Sequence, residues 1–225
     1  MLEPVHRTLG SFVLVPEAAD VRVLREPNLG DIIPDLLIGI APNIRGRARA
    51  RPYHGSRIEA HIIALLENHR CLSAIEIGRM IFMSPCAIDH TLKRLLRVGV
   101  VRRAQGGDWR ISVEHRSTSL EIVAIEAKLS RWRQALSQAE EYLEFADRSY
   151  VVLDGNRIRE TAVIRNAFLG IGVGLLFQYG FFTKHSIKPK PNRPRSSVSR
   201  VQAVAKLFGH SSADARRLEW NQALP

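Results

Sequence analysis

Apolar positions recur along this chain in different rhythms, and the changes of rhythm divide it into regions. Near the start, VRVLREP (from Val21) and IIPDLLIGI (from Ile32) are short runs separated by Gly30-Asp31, which predicts two extended segments. From Gly55 to Val113 the period turns helical. Ile58, Ile62, Ile63, Leu65 and Leu66 form the apolar face of a first helix. Ser73 caps a short second helix, AIEIGRMIF, and Glu76 completes a capping box three residues on. Ser84-Pro85 opens a third helix, because Ser satisfies free N–H groups and Pro fits the first turn. That helix turns Ile88, Leu92, Leu95 and Leu96 inward and closes at Gly99. VVRRAQGGDWRISV then reads as two strands around Gln105-Gly106-Gly107-Asp108, a hairpin with basic flanks.

A third texture begins at Ser119. LEIVAIEAKL reads as a central strand and RWRQALSQAEEYLEFA as an amphipathic helix. RSYVVLD, RETAVIRNAFLG and IGVGLLFQ follow as strand, helix and strand. From Lys184 the chain turns basic and Pro-rich (KHSIKPKPNRPRSS), a composition that favours extended or disordered chain. A short helix, VSRVQAVAKLFG, closes the pattern. These textures predict a discontinuous α/β core at 1–53 and 117–185, a helical module at 55–113, and a basic tail with a short helix at 186–225.

Charge narrows the partners. The 225 residues carry 33 Lys and Arg against 22 Asp and Glu, a formal net charge of +11. Such an excess favours polyanions, since each neutralised phosphate releases condensed counterions. Nucleic acid leads, with an anionic membrane surface as the competitor. The longest apolar stretch, Ala167 to Phe182, contains four glycines and Gln178 and falls short of the roughly twenty residues of a spanning helix; a buried strand after a Gly turn explains it better. No signal-like segment opens the chain and no membrane partner is expected, so the expected location is cytoplasmic, with nucleoid association compatible. Cys71 and Cys86 sit in helical patterns and the eight histidines lack metal-ligand spacing, which argues against a disulfide scaffold or a zinc site. Trp109, Trp132 and Trp220 read as packing residues.

Three helices followed by a basic hairpin resemble the winged helix-turn-helix of small bacterial regulators, through Ser84-Pro85, Leu92, Leu95, Leu96, Gly99, Val100 and Val101. The resemblance implies that the third helix enters the major groove with His90, Thr91, Lys93 and Arg94 exposed. It also implies that Arg102, Arg103 and Arg110 on the wing reach phosphates or the minor groove. Many such modules serve instead as protein contacts. The basic run Arg45–Arg51 reads equally as a phosphate-facing or a merely solvated loop.

The chemistry-bearing pattern lies in Ile125-Glu126-Ala127-Lys128. On a strand, period two puts Glu126 and Lys128 on one face and turns Ala127 towards the core. Pro34-Asp35, opening DLLIGI, offers a second carboxylate from a neighbouring strand. Two carboxylates can hold a divalent ion and a Lys can stabilise a charged transition state. Glu-x-Lys alone is weak, but its order with the Pro-Asp strand and the following helix and strand resembles the PD-(D/E)xK nuclease superfamily, which includes many restriction endonucleases and Holliday-junction resolvases. Gln138 and Tyr142 on that helix resemble the Gln-x-x-x-Tyr element of RecB-type nucleases.

Carried over, the resemblance implies a restriction-endonuclease-like mixed sheet flanked by helices, with the winged-helix domain inserted. It implies Asp35 and Glu126 as ligands for Mg²⁺ or Mn²⁺, Lys128 as the catalytic lysine, Gln138 and Tyr142 beside them, and Glu17 or Glu26 as an N-terminal acid. One departure matters: Asp35 and Glu126 are 91 residues apart, where the superfamily has a short hairpin, so the helical module must fill the gap. The expected function is a metal-dependent DNA endonuclease. The alternative is a non-catalytic winged-helix regulator whose nuclease-like domain dimerises. Both leave room for a homodimer and for protein partners on the basic tail.

Overall fold

The computed structural model describes residues 20–41, 56–116, 120–208 and 216–217. They fall into two compact units. One draws on residues 20–41, 120–195 and 216–217, the other on 56–116 and 196–208. Glu17, the Arg45–Arg51 run and Trp220 lie outside the described residues.

The first unit is built on a mixed sheet. Its strands are β1 (Asp20–Arg25), β2 (Leu36–Ala41), β5 (Glu121–Lys128), β6 (Arg148–Asp154), β7 (Gly174–Tyr179) and β8 (Phe182–Ile187), with the two-residue β9 (Arg216–Arg217) on the β1 edge. The order is β8-β7-β6-β5-β2-β1-β9. β5, β6 and β7 run parallel, while β1–β2, β2–β5 and β7–β8 are antiparallel. Helix α4 (Trp132–Glu141) connects β5 to β6 and helix α5 (Ala162–Ile171) connects β6 to β7, because a parallel pair needs a crossover rather than a tight turn.

Alternation sorts the side chains. Val21, Val23, Leu36, Ile38, Ile40, Val123, Ile125, Tyr150, Val152 and Leu176 form one core, with Ala127 packed at its margin, as the strand period predicts. Each such side chain removed from water contributes roughly 1.5–3 kcal/mol. On the opposite face α4 packs against β5 and β6 through Ala135, Leu136 and Ala139. A central parallel strand is buried on both faces and should read almost continuously apolar. β5 does so except at Glu126.

The Ala167–Phe182 stretch is divided between α5, the left-handed Gly172, the buried strand β7 and the turn into β8, where Phe181 and Phe182 are exposed. No helix among the described residues is long and apolar enough to cross a membrane.

The Pro-rich segment after Lys184 takes the extended form, one of the two that its composition favours, and to Arg195 it belongs to the first unit rather than to a tail. Residues to Ile187 complete the edge strand β8, and the chain then runs as a fixed strap. Lys190 N–H donates to the Gly172 carbonyl and Asn192 N–H to that of Asp147, while the Asn192 amide donates to Leu143 and Ala146. Arg195 pairs with Glu144. Composition cannot register these partners, because they are backbone carbonyls supplied from far away in the chain.

The second unit contains helices α1 (Arg57–Asn68), α2 (Ala74–Met80) and α3 (Pro85–Arg97), the hairpin β3–β4 (Val101–Arg103, Trp109–Ile111) and helix α6 (Ser197–Phe208). Both predicted caps form: Ser73 closes a capping box with Glu76, and Ser84 accepts from Ala87 N–H ahead of Pro85; Ser56 adds a second capping box with Glu59 that the sequence reading did not name. The core joins Ile62, Ile63, Leu66, Ile77, Ile88, Leu92, Leu95 and Trp109 to Val201 and Ala205 of α6. The last helix is thus part of this unit and not of a tail, since α1 offers it a second apolar side. Two positions read as inward differ: Ile58 and Leu96 are exposed. α2 ends before Phe82, which adopts a positive φ of 55°.

Candidate active site

The register of β2 against β5 sets the site. Their pairing ends at Leu36 opposite Ile125, so Asp35 stands one step beyond, facing Glu126. Asp35 Oδ2 accepts the Ala127 N–H at 2.7 Å, which fixes the carboxylate against the neighbouring strand. The insertion between them leaves this pairing intact, because a long insert at a hairpin end does not alter the ladder below it.

Glu126 is 1% exposed, the most buried charged residue of the sheet. Its Oε1 meets Lys128 Nζ at 2.5 Å, and its Oε2 accepts the Tyr142 hydroxyl at 2.5 Å. Glu126 and Lys128 share a face, as their spacing predicts. Tyr142 reaches them from the 3₁₀ turn, Tyr142–Glu144, that ends α4. Burial pushes the Glu126 carboxyl above its ordinary range. Hydrogen bonds from Lys128 and Tyr142 pull it partly back, and the Asp35 charge pushes it up again. Burial, and then the Glu126 carboxylate that accepts its proton, hold the Tyr142 phenol far above its usual range, so it is a permanent donor here.

Gln138 lies one turn before Tyr142 on the same side of the helix. Its Oε1 is buried and finds no hydrogen-bond partner among the described residues. A buried acceptor in that condition costs free energy unless something supplies a donor or a cation. No group of three His, Cys, Asp or Glu side chains exists among the described residues, so a zinc-like cage is not offered there. The two carboxylates, with the Lys128 cation beside them, offer instead a pair of hard oxygen donors. This suits Mg²⁺, which keeps several waters and takes one or two carboxylates. Glu26, the described candidate for an N-terminal acid, donates its N–H to the Asp35 carbonyl, but its side chain is exposed.

In the second unit the expected DNA-facing residues divide. His90 and Lys93 are exposed on α3, with Lys93 paired to Asp89. Thr91 is not exposed as expected, and Arg94 keeps part of its side chain in solvent while pairing with an acid. Thr91 is buried with its hydroxyl on the Ala87 carbonyl, and Arg94 reaches inward to Glu59 at 2.9 Å. Their positions fall on the side of α3 that packs on α1, a direction set by how the helix is rotated. On the hairpin, Arg102 donates to Ser112 and Arg103 stacks on Trp109 at 3.7 Å, while Arg110 stays exposed. Two features escaped the sequence reading. One is Glu59, the buried partner of Arg94. The other is the aromatic cluster Tyr179, Phe181 and Phe182, whose signal was a Gly180 followed by two aromatics.

No family model matches the chain, and no curated protein matches it. Among solved structures it is similar to a protein of unknown function from Silicibacter pomeroyi, at 21% identity over 50% of this chain and 75% of that one, with a TM-score of 0.27. A likeness of that size carries no argument about fold or function.

Proposed function

We propose that the first unit is a Mg²⁺-dependent deoxyribonuclease of the PD-(D/E)xK type, and that the second is a winged-helix module that holds the DNA. The observation that carries this reading is Glu126: a carboxylate buried in a central strand, disfavoured in its charged form, faced by Asp35 and held by Lys128 and Tyr142. A structural ion pair has no need of a second carboxylate beside it. The Gln-x-x-x-Tyr element supports the same reading, since Tyr142 is the donor on Glu126.

In this reading Asp35 and Glu126 hold the divalent ion, with the Gln138 oxygen at the margin. The ion would supply an activated water and neutralise phosphoryl charge. Lys128, partly open to solvent, faces the charge that develops on the phosphate. Tyr142 holds one Glu126 oxygen in place and keeps its proton at all working pH values. Asp35, anchored by the Ala127 N–H, needs no reorganisation on binding. The exposed His90, Lys93 and Arg110 of the second unit would meet phosphates or groove edges.

The test is cleavage of supercoiled plasmid with Mg²⁺ or Mn²⁺, beside Lys128→Ala. Cleavage should fall on the order of 10²–10³-fold, while duplex affinity holds, because the charge serves the transition state rather than the ground state. Metal titration by calorimetry provides a readout apart from turnover: Asp35→Asn should weaken it. A wild-type chain that binds duplex but neither cleaves it nor takes up the metal would favour the non-catalytic regulator.

A further inference from the structure

At the end of the β7–β8 hairpin three aromatic rings face water. Tyr179 is 37% exposed, Phe181 86% and Phe182 64%. Monomeric proteins seldom display such a patch without use for it. The hairpin is rigid. Tyr179 pairs with Phe182 across a two-residue turn whose first position is the positive-φ Gly180. Gln178, buried beneath, donates to the carbonyls of Gly180 and Phe182 and accepts from Thr183. The Tyr179 ring lies flush on Gly155, where any Cβ would come within 2.3 Å of it. The rings are presented, then, and not merely left out.

Their position matters. Register through β5, β6 and β7 puts Lys128, Leu153 and Phe177 on one face, and Tyr179 two residues further on the same face. Phe182 and Lys184 pair with Tyr179 and Phe177, so they share it. Two strand spacings and two residues separate Lys128 from Tyr179, on the order of 10–15 Å, and Phe182 lies one further spacing away. Lys184 on β8 and Arg157 and Arg159 after β6 are exposed cations; Arg157 pairs with Asp154 and Lys184 with Glu160. Exposed aromatic faces on a chain of formal net charge +11 fit a ligand with flat apolar rings on an anionic backbone.

We propose that the β7–β8 tip is a stacking platform for unpaired bases, so that the substrate is a single strand or the opened end of a duplex. This deepens the nuclease reading and rests on it for the nature of the reaction, but not for the binding itself. Stacking tolerates any base, because each offers a π face. A duplex with its bases paired inside offers none.

The experiment measures fluorescence anisotropy of a labelled oligothymidylate and of a matched duplex, with the full chain in EDTA. Replacing Phe181 and Phe182 together by Ser should weaken oligothymidylate binding roughly tenfold to a hundredfold and leave the duplex nearly unaffected. Both rings are exposed, so the unfolding midpoint should hold. Phe181→Trp should retain affinity and show indole quenching on binding. Unchanged oligothymidylate affinity in the Ser variant overturns the platform, as does an equal loss on duplex. A lost self-association in sedimentation with oligonucleotide affinity intact overturns it too, and identifies a protein contact. The two readings fail separately. A chain that never cleaves but loses oligothymidylate binding in the Ser variant keeps the platform and drops the nuclease, and the converse result does the reverse.

Discussion

Among the described residues each unit buries one glutamate almost completely, and the two are held in opposite ways. Glu59, 2% exposed, sits in the first turn of α1. One oxygen accepts the Ser56 N–H at 3.0 Å and the other pairs with Arg94. Its charge lies where a helix N-terminus favours an anion, and its partners are a backbone donor and one guanidinium. Glu126, 1% exposed, has no such setting. Its partners are a lysine and a phenol, and a second carboxylate faces it across the ladder. The first arrangement closes a helix; the second keeps a poorly solvated anion near another. A fold gains nothing from the second that an apolar residue would not give, so the comparison teaches where stability has been surrendered.

The strongest test removes each charge. Glu126→Gln should abolish cleavage yet raise thermal stability at neutral pH. The sign follows from the raised carboxyl. Its contribution to stability is full below the ordinary value of 4.5 and is lost as pH rises through the higher folded value. Glutamine does not titrate, so the fall in that window should flatten; melts across mildly acidic pH measure it. A lower melting point for this variant at neutral pH would make Glu126 a structural residue like Glu59.

Glu59→Ala should do the opposite and cost about 1–2 kcal/mol, through the lost capping box and the pair with Arg94. Chemical denaturation followed by circular dichroism reads it. Tyr142→Phe sharpens the contrast with a smaller change. Without that hydroxyl the Glu126 carboxyl rises further, so the acidic limb of the cleavage profile should move to higher pH. A profile that does not move would remove Tyr142 from the site. The smallest effect belongs to Arg110. Exposed on the hairpin, it should give up about one unit of salt-dependence slope when replaced by Ala. Arg103 and Arg102 are poorer probes, because they also cover Trp109 and hold Ser112.

Much of this was legible without coordinates. Ser73 and Ser84 cap helices because their side chains satisfy free N–H groups of the first turn, a local requirement written in local residues. Period two fixed Glu126 and Lys128 on one face and turned Ala127 to the other. The Gln138–Tyr142 spacing put both residues on one side of a helix. These follow from bonds and repeats within a few residues, which any reader of the sequence can count.

Other features depended on elements remote in sequence. Nothing near Thr91 says that α3 turns it inward, or near Arg94 that it pairs with Glu59; the rotation is decided by what α1 presents. The Pro-rich strap is fixed by carbonyls of Leu143, Ala146, Asp147 and Gly172, and the last helix is recruited by a free side of α1. Asp35 meets Glu126 only because the β2–β5 register survives an insert of many residues. Sequence determines local geometry, where the interacting atoms are bonded neighbours. Partners across long loops are chosen by which burial and hydrogen bonding the whole fold can satisfy at once, and that choice exists only in three dimensions.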